Sequence, residues 1–148
     1  MSKLAQYLPH DVPMVLIDKL IQYDDSSITV QAIIKDKYPF TNGTIGSWIG
    51  LEFMAQAAGV FAALHRKNAS GNINLGFLLG SRNFISHTPT FTPGETVTIS
   101  VSTEFTSDNG LSAATGIILN DQERVLCEAS LTLYQDHNGT FSLDNEKP

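Results

Sequence analysis

Trp48 to Leu64 reads WIGLEFMAQAAGVFAAL, and apart from Gly50 and Gly59 only Glu52 and Gln56 in it are not hydrophobic. A surface helix keeps its apolar residues on one stripe, whereas a helix apolar all round has to be enclosed. A membrane span asks for about 20 apolar residues without an acid in the middle, which Glu52 breaks. The stretch is therefore read as one long helix at the centre of a soluble domain. Ser47 stands where an N-cap belongs. His65, Arg66 and Lys67 complement the dipole at the other end, before a loop containing Gly71.

What encloses this helix has to come from its flanks, and both read as strands. Met14 to Tyr23 (MVLIDKLIQY) is rich in aliphatic residues and runs from Pro13 to the polar turn Asp24-Asp25-Ser26-Ser27. Ile28, Val30, Ala32 and Ile34 then alternate with polar residues, the return strand of a hairpin. Tyr38 to Gly46 (YPFTNGTIG) is a loop. Beyond the helix, Ile73 to Ile85 is apolar, and Pro89, Pro93 and Gly94 mark a turn. Val97, Ile99, Val101 and Phe105 alternate with polar partners, and Asn109-Gly110 is a hairpin signal before Leu111 to Leu119. Asp121 to Arg124 turns again, and Val125, Cys127, Ala129, Leu131 and Leu133 form one face of a last strand.

The order is two strands, one helix, four strands: an α+β domain in which a curved antiparallel sheet wraps a central helix. Residues 1–136 form the domain and residues 137–148 a polar tail. One sheet covers one side of a helix, so the other side calls for a second layer, supplied by a homodimer or a heterodimer.

The 148 residues suit one domain, and 42% hydrophobic with 16% charged residues is a globular balance. A net charge of −6, with no basic run longer than Arg66-Lys67, argues against nucleic acid. The single cysteine, Cys127, excludes an internal disulfide and lies in an apolar alternation, a core position. No histidine pair has metal-ligand spacing, so no metal is expected. The N-terminal apolar stretch is interrupted by His10 and Asp11 before it reaches signal-peptide length, and the cytoplasm is the expected compartment.

Glu52 is the sharpest chemical feature. A carboxylate on an apolar helix is costly unless it is paired, hydrogen-bonded or neutral, and such a group is a natural general acid or base. Its alternative role is a structural hydrogen bond to the preceding loop. Gln56, at i+4, shares its face and either orients the carboxyl or satisfies a backbone group. Gly46, Ser47 and Trp48 bring backbone N–H groups to the helix start, where amides can polarise a thioester carbonyl and stabilise an enolate. Of the four histidines, His65, His87 and His137 read as ordinary surface or dipole partners. His10, after Leu8-Pro9, is placed to fold back over the helix start.

Several segments together resemble the 3-hydroxyacyl-acyl-carrier-protein dehydratases of fatty acid synthesis. They are Leu8-Pro9-His10, Pro13 to Asp18, Pro39-Phe40, Gly50 to Gly59 (GLEFMAQAAG), Pro93-Gly94-Glu95 and Val125 to Ala129. The resemblance spans residues 4 to 134 and is most specific in GLEFMAQAAG. It implies a hot-dog fold, a dimer with active sites at the subunit interface, and a tunnel for an acyl-pantetheine thioester. In that family a helix acid works with a histidine from across the interface: the histidine takes the α-proton and the acid assists loss of the 3-hydroxyl as water. Glu52 matches the acid. Where the family carries Gly-His-Phe-x-Gly, this chain reads Gly43-Thr44-Ile45-Gly46, so Thr44 stands in the histidine's place, and threonine is no base near neutral pH. The chain thus looks like a histidine-lacking branch, similar to the smaller dehydratase proteins of aryl-polyene-type pathways.

The resemblance implies a dehydratase or dehydratase subunit, its histidine supplied by a second hot-dog subunit or replaced by His10. A hot-dog thioesterase, with Glu52 activating water, and a non-catalytic partner subunit are the alternatives. The thioester is carried on acyl carrier protein or on CoA, and no cofactor is needed. Carrier proteins are acidic, so docking calls for a positive patch, for which Arg66, Lys67 and Arg82 are the candidates. Phe53, Phe61 and Leu79 are candidates for setting acyl chain length.

Overall fold

The computed structural model describes residues 16–36, 38, 44–69, 76–107 and 109–135, with the side chains of 65–69, 76–79, 106 and 135 excepted. Its elements are β1 (Lys19–Tyr23), β2 (Ser27–Ile33), α1 (Gly50–Ala69), β3 (Gly76–Ser86), β4 (Thr96–Thr106), β5 (Leu111–Leu119) and β6 (Val125–Gln135). The strand–strand–helix–four-strand order is the one the residue pattern gives. All six strands form one antiparallel sheet in the order β1-β2-β4-β5-β6-β3. The helix joins β2 to β3, at the far edge, and crosses the sheet on the way.

The strand alternation decides which side faces α1. Ile28, Val30 and Ala32 of β2, Val97, Ile99 and Val101 of β4, Ala114 and Ile118 of β5, and Cys127, Ala129 and Leu131 of β6 are buried. They meet Ile49, Phe53, Met54, Ala57, Val60, Phe61 and Leu64 from the helix segment in one continuous core. Full burial of each large aliphatic or aromatic side chain is worth roughly 1.5–3 kcal/mol, so this layer dominates the stability. The apolar stretch Ser47–Leu64 would be long enough to cross a membrane, but 61% of it is packed inside the protein, as in a core helix.

Close approach of helix and sheet depends on glycine. A Cβ at Gly116 on β5 would fall 2.6 Å from the Met54 sulfur and 3.1 Å from Leu131 Cδ1. Beside Met54, Phe53 packs on Phe91 with ring centroids 6.0 Å apart.

Two boundaries differ from the sequence reading. The first strand begins at Lys19, not Met14; Leu16 and Ile17 are fully buried but lie outside the ladder. Ser47 does not cap α1. It opens a single 3-10 turn, Ser47–Ile49, whose N-cap position is Gly46 with no side-chain cap. The Asn109-Gly110 signal is borne out: Gly110 adopts φ 91°, and Ser107 N donates to Leu111 O at 2.8 Å across the β4–β5 turn. The last strand ends at Gln135, and the expected tail, 137–148, lies outside the described residues.

Among the described residues, α1 is not covered all round. Leu51, Glu52, Ala55, Gly59, Ala62 and Ala63 are only half-buried, and Trp48 is 53% exposed. These positions recur at helical spacing and mark the face turned away from the sheet. Among the described residues, β3 has β6 beside it on one side only and forms an edge of the sheet.

Candidate active site

Glu52 lies in the first turn of α1, half-buried, on the uncovered face. Its carboxyl is held in place: Gln56 Nε2 donates to Glu52 Oε1 at 3.1 Å. Gln56 is fully buried, and its Oε1 accepts the backbone N–H of Leu16 at 2.8 Å. An amide N–H can only donate, so Leu16 fixes the Gln56 side-chain amide with its oxygen toward Leu16 and its nitrogen toward Glu52. This accounts for the i+4 pair and gives both roles weighed for Gln56: it orients the carboxyl and satisfies a backbone group. It also explains why Leu16 stays out of the sheet. Its amide is given to the helix.

Ser47 is bound on every side. Its N–H donates to Pro89 O at 3.0 Å, and its carbonyl accepts from Gly50 N and, at 3.8 Å, from the Cys127 thiol. Its hydroxyl meets Ser86 Oγ at 2.5 Å. Ser86 has one hydroxyl proton and gives it to Thr88 O, so Ser47 is the donor of that pair. Ser47 therefore rivets the helix start to β3, and its amide is not open to a ligand. The correction follows from Ser86 and Pro89, distant in sequence and adjacent in the fold. Gly46 forms an antiparallel bridge with Thr90, and the bonds that flank it are Ser47 N to Pro89 O and Phe91 N to Ile45 O. The Gly46 amide takes part in neither bond.

Cys127 is buried beneath the helix start, and burial pushes its thiol up to about 11. A thiol held protonated at neutral pH is a packing residue and no nucleophile.

The other sequence candidates separate. Thr44 is exposed, two residues before Gly46. Arg82 is exposed on β3. Arg66 and Lys67 fall in the last turns of α1, with side chains outside the described set, and His10 lies outside the described residues altogether. His87, read as an ordinary loop residue, pairs with Glu128 at 3.0 Å. It lines a cavity of about 600 Å³ with Thr88, Asn120, Arg124, Val125, Leu126 and Glu128. That cavity joins the end of β3 to the β5–β6 turn and takes no residue from α1. Its residues come from the turn after β3, the β5–β6 turn and the start of β6, and no local spacing announces it.

At Glu52 the chain thus holds a hydrogen-bonded carboxyl in the first turn of a buried helix, on the face turned away from the sheet. The profile of the ApeP-like family, described as ApeP dehydratase, matches residues 2–143. The chain belongs to the ApeP-like dehydratase family. The 3-hydroxyacyl-acyl-carrier-protein dehydratase FabZ of Chlamydia caviae is 29% identical over 141 residues, covering 90% of each chain. Among solved structures, the dehydratase heterocomplex ApeI:P from Xenorhabdus doucetiae superposes with a TM-score of 0.80 at 32% identity over 91% of each chain. A hypothetical thioesterase with coenzyme A from Streptococcus pneumoniae shares the fold alone, with a TM-score of 0.62 at 14% identity over 80% of this chain and 84% of that one. The ApeP-like chain is thus a hot-dog domain, as its resemblance implied.

Proposed function

We propose that this ApeP-like chain is one half of a two-subunit dehydratase that eliminates water from a 3-hydroxyacyl thioester on an acyl carrier protein. The observation that carries the reading is Glu52: a carboxyl on the open face of α1, its rotation set by Gln56. The ApeI:P neighbour is itself a dehydratase heterocomplex, and a second hot-dog subunit here supplies both the missing layer over α1 and the histidine that Thr44 does not provide.

In this mechanism the partner's imidazole removes the α-proton, and the electron pair passes into the thioester carbonyl as an enolate. Backbone amides at the helix start, with Gly46 as the leading candidate, receive the developing oxyanion. Collapse of the enolate forms the C2=C3 bond and breaks C3–O. Glu52 gives a proton to the departing hydroxyl, which leaves as water. Proton transfer of this kind contributes about 10²–10⁴-fold in rate.

The test supplies 3-hydroxyacyl thioesters on carrier protein to the chain alone and to the chain co-purified with its hot-dog partner. Enoyl product is expected from the pair and not from the single chain, and Glu52→Gln in the pair should lower kcat by about 10²-fold or more. A Glu52→Gln pair as active as wild type removes Glu52 from the chemistry. Free thiol in place of enoyl product makes the protein a thioesterase.

A further inference from the structure

The cavity of about 600 Å³ at the end of β3 and the β5–β6 turn takes no residue from α1, so the chemistry proposed at Glu52 leaves it without a role. Its size is that of a small-molecule site, commonly about 300–1,000 Å³. The polar donors in its lining come from the β5–β6 turn. Asn120 Oδ1 accepts the backbone N–H of Gln122 and of Arg124, each at 2.9 Å. An amide N–H can only donate, so these bonds hold the Asn120 oxygen in the turn and turn its NH2 away from it. Among the described residues nothing accepts from that NH2 and no carboxylate pairs with the Arg124 guanidinium, although both side chains line the cavity. The acids of the same turn, Asp121 and Glu123, are exposed and lie outside the lining. The carboxylate within it, Glu128, is already engaged, its Oε2 3.0 Å from His87 Nε2.

A guanidinium and a side-chain amide offered from one turn are donors suited to the paired oxygens of a carboxylate or a phosphate. The turn is preset for them: Asn120 N donates to Arg124 O at 2.9 Å and Glu123 N to Asn120 O at 3.0 Å, so little backbone freedom is lost on binding. Half-buried Val125 and buried Leu126 make part of the lining apolar, which suits a short hydrocarbon body. We propose that this cavity is a second binding site, separate from Glu52, for a small organic oxyanion, a carboxylate or phosphate monoester whose head is held by Arg124 and the Asn120 amide and whose apolar body lies against Val125 and Leu126. The site does not rest on the dehydratase reading.

The probes are butyrate and butyl phosphate, with butanol and butylammonium as neutral and cationic controls of equal body. Each is titrated into the full chain, alone and with its hot-dog partner, and followed by proton NMR. The ring signal of His87 is the histidine signal that a His87→Gln variant lacks. The expected result is saturable binding of at least one anion, with a shift of the His87 signal, about tenfold tighter than either control. The anion that binds identifies the head group. Arg124→Gln, at an exposed position, should weaken that anion by about tenfold or more, and Val125→Ala by about two- to threefold. Melting curves confirm that each variant is folded. Binding undiminished in a folded Arg124→Gln variant, binding that leaves the His87 signal in place, or a control as tight as the anions overturns the assignment. Failure of both anions to bind overturns it as well. The dehydratase reading stands under every one of these outcomes, because the variants and the readout lie outside α1.

Discussion

The backbone amide of Leu16 and the side-chain oxygen of Gln56 meet at 2.8 Å, forty residues apart, in the interior of the protein. Through this bond the segment preceding β1 sets the orientation of an amide that in turn holds the carboxyl of Glu52. The carboxyl's geometry is thus a property of the tertiary fold and not of the helix alone.

Gln56→Leu leaves the Leu16 N–H buried without an acceptor and should cost about 1–3 kcal/mol in urea unfolding, with kcat reduced as well. Gln56→Glu keeps an acceptor for Leu16 but places a second carboxylate against Glu52. The Nε2–H donor to Glu52 is lost with it, so kcat should fall in a variant that still folds. An unchanged kcat in a folded Gln56→Glu variant would separate Gln56 from the chemistry.

Gly116→Ala adds a methyl where Met54 already stands 2.6 Å away. Met54 is fully buried and cannot swing into solvent. The substitution should destabilise by about 1–3 kcal/mol, the usual cost of overpacking. Met54→Ala introduced into the Gly116→Ala chain should cost less than Met54→Ala alone, a coupling readable from a double-mutant cycle in thermal or urea melts.

Cys127 gives a prediction on the alkaline side. Its thiol is raised from 9.0 to about 11 by burial, so the folded state favours the protonated form. The stability this contributes is complete below about pH 9 and is lost as pH rises through about 11. Native protein at pH 8 should resist alkylation on the timescale that labels it completely in denaturant. Cys127→Ala should flatten the alkaline fall in stability.

Asp24 gives the opposite sign. Backbone N–H bonds from Ser26 and Ser27 and the Ser27 hydroxyl hold its carboxyl below the usual 3.8. Its contribution is present above pH 3.8 and disappears as pH falls through the lowered value in the folded protein. Amide exchange in the β1–β2 hairpin should therefore quicken in acid, and Asp24→Asn should remove that part of the acid dependence.

Where local pattern carried the information, the residues were readable before any coordinates. The unbroken apolar run at 48–64 announced the central helix, the alternation at Val97 to Val101 announced a strand, and Asn109-Gly110 announced its turn, because each depends on neighbours in sequence. Glu52 and Gln56 stood out for the same reason, as the only polar side chains in a greasy run. What escaped depends on partners far along the chain. Ser47 was misread as a cap because Pro89 and Ser86, which claim its amide and hydroxyl, lie about forty residues downstream. The first strand was drawn too long because Leu16 and Ile17 are as aliphatic as any strand residue, yet the amide of Leu16 bonds to Gln56. The adjacency of β6 and β3, which assembles His87 with Glu128, has no local signature at all.

The outer margin of β3 runs for 11 residues, interrupted by a register shift between Arg82 and Ile85 and by a left-handed Asn83 at φ 54°. Those irregularities blunt a backbone that would otherwise template another strand, but none of the described residues pairs along it. An exposed strand margin of this kind favours self-association, so inclusion bodies should dominate when the chain is made by itself. If the proposed two-subunit enzyme is right, co-synthesis with the second subunit should raise the yield of dispersed protein more than a change of temperature or host.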